Sequence, residues 1–169
     1  QYHIRVKIER VIVGPLATNC YIVSLNRQTL IIDPGAEPEK IFSALPTADI
    51  SQIILTHAHP DHLGAASALK NEFPKAEFLL HRADLPLLRK FLPFLSPERF
   101  LNEGQFSSYS VIHTPGHTPG AICLRFGNFL FTGDTLFARG SGRTDFPYGC
   151  KNDLIKSLKK LEKFPKNLK

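Results

Sequence analysis

The feature that most constrains this chain is a group of histidines and an aspartate placed directly after an apolar stretch. Residues 56–62 read Thr-His-Ala-His-Pro-Asp-His, and they follow the apolar residues 53–55, which are typical of a buried strand. In an extended chain, residues i and i+2 point to the same side, so His57 and His59 can hold one ion together. Asp61 and His62 follow a proline that turns the chain, and they would face a second position. No structural need explains this cluster, and we predict a metal site.

Two further ligands are expected from the ends of other strands. His117 lies in the turn sequence Thr-Pro-Gly-His-Thr-Pro-Gly of residues 114–120, just after a predicted strand. Asp134 follows another predicted strand and comes directly after Gly133, which allows a close backbone approach. A carboxylate can bridge two cations. These groups all lie beyond strand ends, which is the usual place for a site in an α/β sheet.

The pattern of apolar residues predicts a layered α/β chain. Alternating residues 3–13 and the segments 18–25 and 29–32 predict three strands, after which strands and helices alternate. The remaining predictions are helices at 37–45 and 62–72, a helix containing Leu85, Leu87 and Leu88, strands at 53–55, 76–80, 108–112, 121–126 and 128–132, a loop at 133–149, and a helix at 152–164 that buries Leu154, Ile155, Leu158 and Leu161. No linker or change of composition divides the chain, so we expect one domain spanning residues 1–169.

Composition and charge exclude several classes of protein. With 43% apolar and only 21% charged residues, a largely disordered chain is excluded. The net charge of +6 is concentrated in residues 150–169, where seven lysines face only two acidic residues. This pattern is typical of the solvated face of a helix, so we expect no nucleic-acid partner. No apolar run is long enough for a membrane span, and we expect no membrane partner.

The cysteines indicate the compartment. Cys20, Cys123 and Cys150 are odd in number and form no Cys-x-x-Cys pair, which favours a reducing environment over a disulfide framework. The first residues alternate polar and apolar side chains, unlike a signal peptide. We therefore expect a cytoplasmic protein.

Taken in order, the segments Asp33-Pro34-Gly35, 57–62, the turn around His117 and Thr132-Gly133-Asp134 resemble the metallo-β-lactamase superfamily. The resemblance implies a four-layer αβ/βα sandwich with its site at one edge, between two sheets. It also implies which residues hold metal. The first metal would be held by His57, His59 and His117, the second by Asp61 and His62, and Asp134 would bridge both.

Within this superfamily the chain most resembles the glyoxalase II, or hydroxyacylglutathione hydrolase, branch. The similarity lies in Thr-Asn-Cys-Tyr at 18–21, in 56–64 and in Gly-Ser-Gly-Arg-Thr-Asp at 140–145. It implies hydrolysis of a small thioester by a metal-bound hydroxide that Asp61 helps to orient. The metal would be one or two zinc ions, with iron or manganese also compatible with these ligands.

Substrate contacts are expected from the loop after the metal ligands. Arg143 stands where the branch tends to have a lysine that contacts substrate, and Tyr148 could line the pocket. The alternative for Arg143 is an internal ion pair with Asp145 that holds the loop. Asp33 either orients a ligand histidine or only forms the Asp-Pro-Gly turn.

Two other functions remain open. A Gly-Arg-Thr-Asp loop also occurs in the persulfide dioxygenase branch, in which a mononuclear iron would be held by His57, His117 and Asp134. The second alternative is a metal-stabilised binding domain without turnover. The oligomeric state is left as monomer or homodimer.

The family pattern includes a strand with a further histidine ligand that is not found in this sequence. The family supplies a further histidine to the second metal from a strand after the last helix, and the sequence reaches Lys169 about where that strand would begin. We therefore expect a sandwich lacking this strand and a weakly occupied second metal position. The alternative is a native chain that continues past Lys169, which an intact-mass measurement would reveal.

Overall fold

The computed structural model describes residues 6–46 and 49–169, and it contains two main β-sheets flanked by helices. The strands are β1 (Val6–Val13), β2 (Thr18–Leu25), β3 (Gln28–Ile32), β4 (Ile50–Ile54), β5 (Glu77–Leu80), β6 (Arg99–Phe100), β7 (Gly104–Phe106), β8 (Tyr109–His113), β9 (Ile122–Phe126), β10 (Phe129–Phe131), β11 (Leu136–Phe137) and β12 (Gly140–Ser141). The helices are α1 (Pro38–Ala44), α2 (Pro60–Leu63), α3 (Ala66–Glu72), α4 (Leu85–Phe91) and α5 (Lys151–Leu161), with a 3₁₀ turn at Arg82–Asp84 before α4. The predicted start of the first strand at residues 3–5 lies outside the described residues.

The first sheet has six strands in the order β1-β2-β3-β4-β5-β6, and the second has four in the order β10-β9-β8-β7. Strands β3, β4 and β5 run parallel, whereas the pairs within the second sheet are antiparallel. The backbone of Lys169 also pairs with the edge strand β10, through hydrogen bonds to Asn128 and Leu130.

Three apolar cores establish the layers. The first core lies between the six-stranded sheet and the helices α1, α3 and α4. The second lies between the two sheets, where the side chains of Ile32, Ile54 and Leu79 meet those of Val111 and Leu124. The third is small and joins the outer face of the second sheet to α5 through Cys123 and Leu161. The order helix, sheet, sheet, helix confirms the predicted four-layer sandwich.

Three local predictions were wrong. The helix predicted at 62–72 is two helices, α2 and α3, which are separated at Gly64 and Ala65. The loop predicted at 133–149 contains the small β11–β12 hairpin. In α5 the buried positions are Leu154, Ser157 and Leu161, at spacings of three and four residues, so Ile155 is 41% exposed and Leu158 is only half-buried.

The parallel strands place the turns that bear functional side chains at one edge of the sandwich. Strand β3 ends immediately before Asp33, β4 ends two residues before Thr56, and the backbone amide of Ile122 on β9 donates to the Thr56 carbonyl across the two sheets. The described residues include no helix that is long and apolar enough to span a membrane.

Candidate metal centre

The structure brings six predicted ligand side chains together at this edge. Together with Asp33, these side chains form groups in which the ligand atoms lie within 4.8 Å of one another. One group contains His57, His59 and His117, another contains Asp61, His62 and Asp134, and a third contains Asp33, His57 and His62. Because the first two groups share no residue but adjoin, the arrangement has the form of a two-ion centre.

Asp134 faces both groups with different oxygens. Its Oδ2 lies 3.3 Å from Nε2 of His117 and 3.9 Å from Nε2 of His57. Its Oδ1 lies 3.2 Å from Nε2 of His62. A carboxylate placed in this way is suited to bridge two cations.

Two ring nitrogens in the centre are buried without hydrogen-bond partners. Among the described residues, the buried side-chain polar atoms that lack a partner are Nε2 of His57 and Nε2 of His62. Carboxylate oxygens lie nearby, but not in hydrogen-bonding geometry. A buried nitrogen without a partner is costly unless something else coordinates it. One such atom belongs to each group, so the residues present fit a metal ion at each position.

The other ring nitrogens of these histidines are held by protein acceptors. Nδ1 of His62 lies 3.0 Å from Oδ2 of Asp33, and Nδ1 of His57 lies 3.1 Å from the hydroxyl of Thr56. That hydroxyl in turn donates to Oδ2 of Asp33, at 2.6 Å. Nδ1 of His117 donates to the carbonyl of Arg143, at 2.7 Å. These contacts fix the rings so that Nε2 is directed into the site, as is usual for histidine ligands of metals.

Protonation in the centre is set by burial and by neighbouring charges. Burial, with the nearby His62, holds the pKa of His57 well below its ordinary value, and burial with His117 lowers the pKa of His59 to about 4. Burial also opposes the charge on His62, but Asp33 and the other carboxylates outweigh it and raise its pKa well above normal. Burial likewise opposes ionisation of Asp134, yet His117 and His62 hold the pKa of this carboxyl well below its usual range.

Two glycines allow the ligand-bearing turns to approach each other. Gly133 has a φ of +49°, and a Cβ on it would lie 2.5 Å from the hydroxyl oxygen of Thr56. A Cβ on Gly35 would lie only 1.7 Å from the backbone oxygen of Asp61. A larger residue at either position would push apart the turns that carry the ligands.

Asp84 is a functional candidate that sequence reasoning missed. It is fully buried, and it accepts hydrogen bonds from the Ala58 amide (2.9 Å), the Thr118 hydroxyl (2.8 Å) and the Gly120 amide (2.6 Å). Ala58 separates His57 from His59, and Thr118 follows His117, so this carboxylate links the two segments that carry the first group. The aspartate lies in a 3₁₀ turn about 26 residues away along the chain, and its sequence surroundings give no local signal.

The two predicted substrate contacts lie on the loop beyond the centre. The Arg143 guanidinium donates to both carboxylate oxygens of Asp145, at 2.8 and 2.6 Å, which is the internal pair considered as the alternative. Tyr148 is 57% exposed and lines a cavity of about 510 Å³ that also includes His59, His117 and Asp134. The structure therefore places both residues beside the centre, and their contact with a substrate remains a prediction.

The sequence and the fold of the chain are similar to those of known proteins. Residues 13–168 match the family model described as "Metallo-beta-lactamase superfamily". The hydroxyacylglutathione hydrolase GloC of Haemophilus influenzae is 35% identical over 178 residues, covering 90% of this chain and 82% of that protein. A probable polyketide biosynthesis zinc-dependent hydrolase, BaeB of Bacillus velezensis, is 29% identical and covers 85% of this chain and 66% of its own length. The crystal structure of TTHA1623 in a di-iron-bound form superposes with a TM-score of 0.87 at 35% identity, covering 93% of this chain and 87% of that one.

Proposed function

The chain belongs to the metallo-β-lactamase superfamily, and on that basis we propose that it is a metal-dependent hydrolase of a small thioester. The observation that carries the proposal is the pair of adjoining ligand groups with one unpartnered Nε2 in each. The similarity to a hydroxyacylglutathione hydrolase over 90% of the chain favours an S-acyl glutathione or a related thioester as substrate.

We assign the ligands as the sequence predicts. His57, His59 and His117 would hold the first ion, Asp61 and His62 would hold the second, and Asp134 would contribute one oxygen to each. Imidazole and carboxylate ligands suit zinc, which is our first choice. The names of similar proteins include both a zinc-dependent hydrolase and a di-iron-bound form, so iron is the second choice.

Ions at these positions would polarise the substrate carbonyl and lower the pKa of water to about 7. The protein's own contribution would be a hydrogen-bond acceptor for that water. Asp61 is half-buried, and its Oδ2 accepts a hydrogen bond from the Thr18 hydroxyl at 3.1 Å. Burial raises the pKa of this carboxyl, but its contacts with His62 and Thr18 lower it more, so the net pKa lies below its ordinary value. An ionised Asp61 can accept a hydrogen bond from water and so orient it towards the carbonyl carbon.

No separate general acid is required for this reaction. Hydrolysis breaks the C–S bond and forms a C–O bond, which gives a carboxylate and a thiol. A thiolate is a good leaving group at neutral pH because a free thiol has a pKa of about 8.5.

The deciding experiment compares two substrates on protein loaded with Zn²⁺ or, separately, with Fe²⁺. Thiol release from S-lactoylglutathione is expected, with a rate that falls below about pH 7 as the bound water regains its proton. Oxygen uptake with glutathione persulfide and no thioester cleavage would instead assign the chain to the dioxygenase alternative. Bound metal without turnover of either substrate would favour the binding-domain alternative.

A matched pair of histidine variants tests the site assignment in the same assay. His117→Ala should lose the first ion and thioester cleavage. His81→Asn removes a histidine that lies outside the ligand groups, and it should retain the metal content of the wild type. Wild-type metal content in His117→Ala would show that the ligand assignment is wrong.

A further inference from the structure

Two cavities of different character meet at the carboxylates of the centre. One has a volume of about 590 Å³ and the other about 510 Å³, and both are lined by Asp61 and Asp134. Leu16 and Phe137 also line both, so these two side chains stand between the cavities. A substrate whose reacting carbonyl lies at the ligands can therefore extend one part into each cavity.

The walls of the two cavities differ in polarity. The larger cavity has a mixed wall, which includes polar residues such as Thr18, Asn19 and Thr132 and apolar ones such as Leu130 and Phe131. The smaller one, which we call the apolar cavity, includes Leu87, Phe91, Phe146, Pro147 and Tyr148. It also contains the ligand histidines His59 and His117, so it opens directly onto the first ligand group.

The apolar cavity is surrounded by an unusual concentration of exposed large side chains. Among the described residues, nine large hydrophobic side chains are exposed, and five of them line this cavity: Leu16, Phe91, Phe137, Phe146 and Tyr148. Apolar side chains scattered singly on a surface need no explanation, but a set gathered around one cavity is typical of a binding site.

The two cations of this cavity lie against aromatic rings. Arg143 is paired with Asp145 through two hydrogen bonds, and its guanidinium lies 4.3 Å from the centre of the Phe146 ring. The Lys90 ammonium lies 5.6 Å from the centre of the Phe91 ring. Both cations therefore lie against aromatic faces, and their alkyl stems add to the apolar wall.

From these contacts we propose that the apolar cavity binds an apolar acyl group, an alkyl chain or an aryl ring, of the thioester substrate. The thiol portion would then extend into the larger cavity and towards solvent. The inference rests on the proposed thioester hydrolysis, and it narrows the substrate from small thioesters in general to those with an apolar acyl group. It also gives Arg143 the role of a wall residue held by Asp145.

The first test is hydrolysis of S-acetyl-, S-butanoyl-, S-hexanoyl- and S-octanoylglutathione, with S-lactoylglutathione for comparison. Burial of each methylene is expected to raise kcat/KM about fourfold until the cavity is filled. A flat series, with hydrolysis of every member, would overturn the inference and leave the proposed function intact.

The second test measures binding without turnover. S-octylglutathione is a thioether that cannot be hydrolysed, and calorimetry on the metal-free protein should show tighter binding than for S-methylglutathione. Equal binding of the two compounds would overturn the inference whether or not any thioester is cleaved. Preferential binding of the octyl compound without thioester cleavage would support the apolar site and overturn the proposed hydrolysis.

Two phenylalanine variants provide a matched comparison. Phe91→Ala removes a wall of the apolar cavity and should flatten both the acyl series and the binding difference. Phe94→Ala removes a fully exposed ring that lines neither cavity, and it should retain both. Leu16→Ala, in the exposed turn between β1 and β2, replaces Phe91→Ala if that variant does not fold. Equal behaviour of the cavity variant and Phe94→Ala would contradict the proposal.

Discussion

Oδ2 of Asp33 lies 3.0 Å from Nδ1 of His62, and the same oxygen accepts the Thr56 hydroxyl that contacts His57. One buried carboxylate thus orients a histidine of each ligand group, one directly and the other through Thr56. Its second oxygen accepts the Thr56 backbone amide at 2.7 Å. The structure therefore favours the orienting role of Asp33 over a role in the Asp-Pro-Gly turn alone, and it explains how His57 and His62 both direct Nε2 into the site.

Asp33→Asn is expected to weaken metal binding at both positions. Oδ2 of Asp33 now accepts from the Thr56 hydroxyl and from Nδ1 of His62. An amide nitrogen at that position would be a donor instead of an acceptor, so the rings of His57 and His62 would lose their fixed orientation. Loss of such an outer contact typically lowers metal affinity about 10- to 100-fold. Competition with a chelator measures this change. Asp153→Asn on α5 removes the same charge at the surface and should leave the affinity unchanged.

Asp84→Ala is expected to destabilise the protein and separate the two segments that carry the first ligand group. The substitution leaves three buried donors without an acceptor, and each such donor costs about 1–3 kcal/mol. Denaturant unfolding of the metal-free protein measures the stability, and zinc titration measures the affinity. Asp84→Asn keeps the shape and one acceptor oxygen, so it should fall between the wild type and Asp84→Ala. A zinc affinity unchanged in both variants would show that Asp84 supports only the fold.

The second metal position is expected to release its ion to a chelator before the first. In the 169-residue chain the described ligands of the second position are Asp61, His62 and the shared Asp134. The first position has three histidines in addition to Asp134, and a position with fewer protein ligands binds less tightly. Metal analysis during chelator titration should show two steps. His62→Ala should remove only the labile step, and loss of both ions in a single step from the wild type would contradict the assignment.

His81 is expected to contribute to the loss of stability in acid. Its ring stacks on His113 with the ring centres 4.0 Å apart, and burial together with that neighbour lowers its pKa to about 4. The unfolded chain binds a proton near the ordinary pKa of 6.5, whereas the folded protein does not until about pH 4. The ionisation of His81 therefore leaves the free energy of unfolding unchanged above pH 6.5 and lowers it as the pH falls from 6.5 towards 4.

His81→Asn should flatten that part of the stability profile. Nδ1 of His81 accepts the Ala83 amide at the start of the 3₁₀ turn, and an asparagine oxygen can do the same. Denaturant unfolding of both proteins between pH 4 and 7, in excess chelator, gives the difference between their free energies of unfolding as a function of pH. Its slope should approach, but not exceed, about 1.4 kcal/mol per pH unit for one proton. If the stability of the two proteins depends on pH in the same way, His81 does not contribute to the loss of stability in acid.

The sequence by itself identified which side chains gather at the centre. His57, His59, Asp61 and His62 are recognisable because ligand spacing within one short segment is a local property of the chain. His117 and Asp134 could be added because both follow predicted strands, and strand ends of an α/β sheet meet at one edge. The alternation of apolar residues likewise predicted most strands and a layered α/β chain, and the resemblance to the superfamily implied the four-layer order.

Tertiary structure alone decided what surrounds that centre. The hydrogen bonds of Asp84 to Ala58, Thr118 and Gly120 join segments that are far apart in sequence, and no local pattern encodes such partners. The exposure of Ile155 is likewise not encoded by a local pattern. Helical periodicity gives the apolar stripe of α5, but the neighbouring sheet determines which edge of that stripe is covered. The apolar cavity is also a tertiary property, because its walls come from the β1–β2 turn, α4 and the loop after β12, which only the packing of the layers brings together.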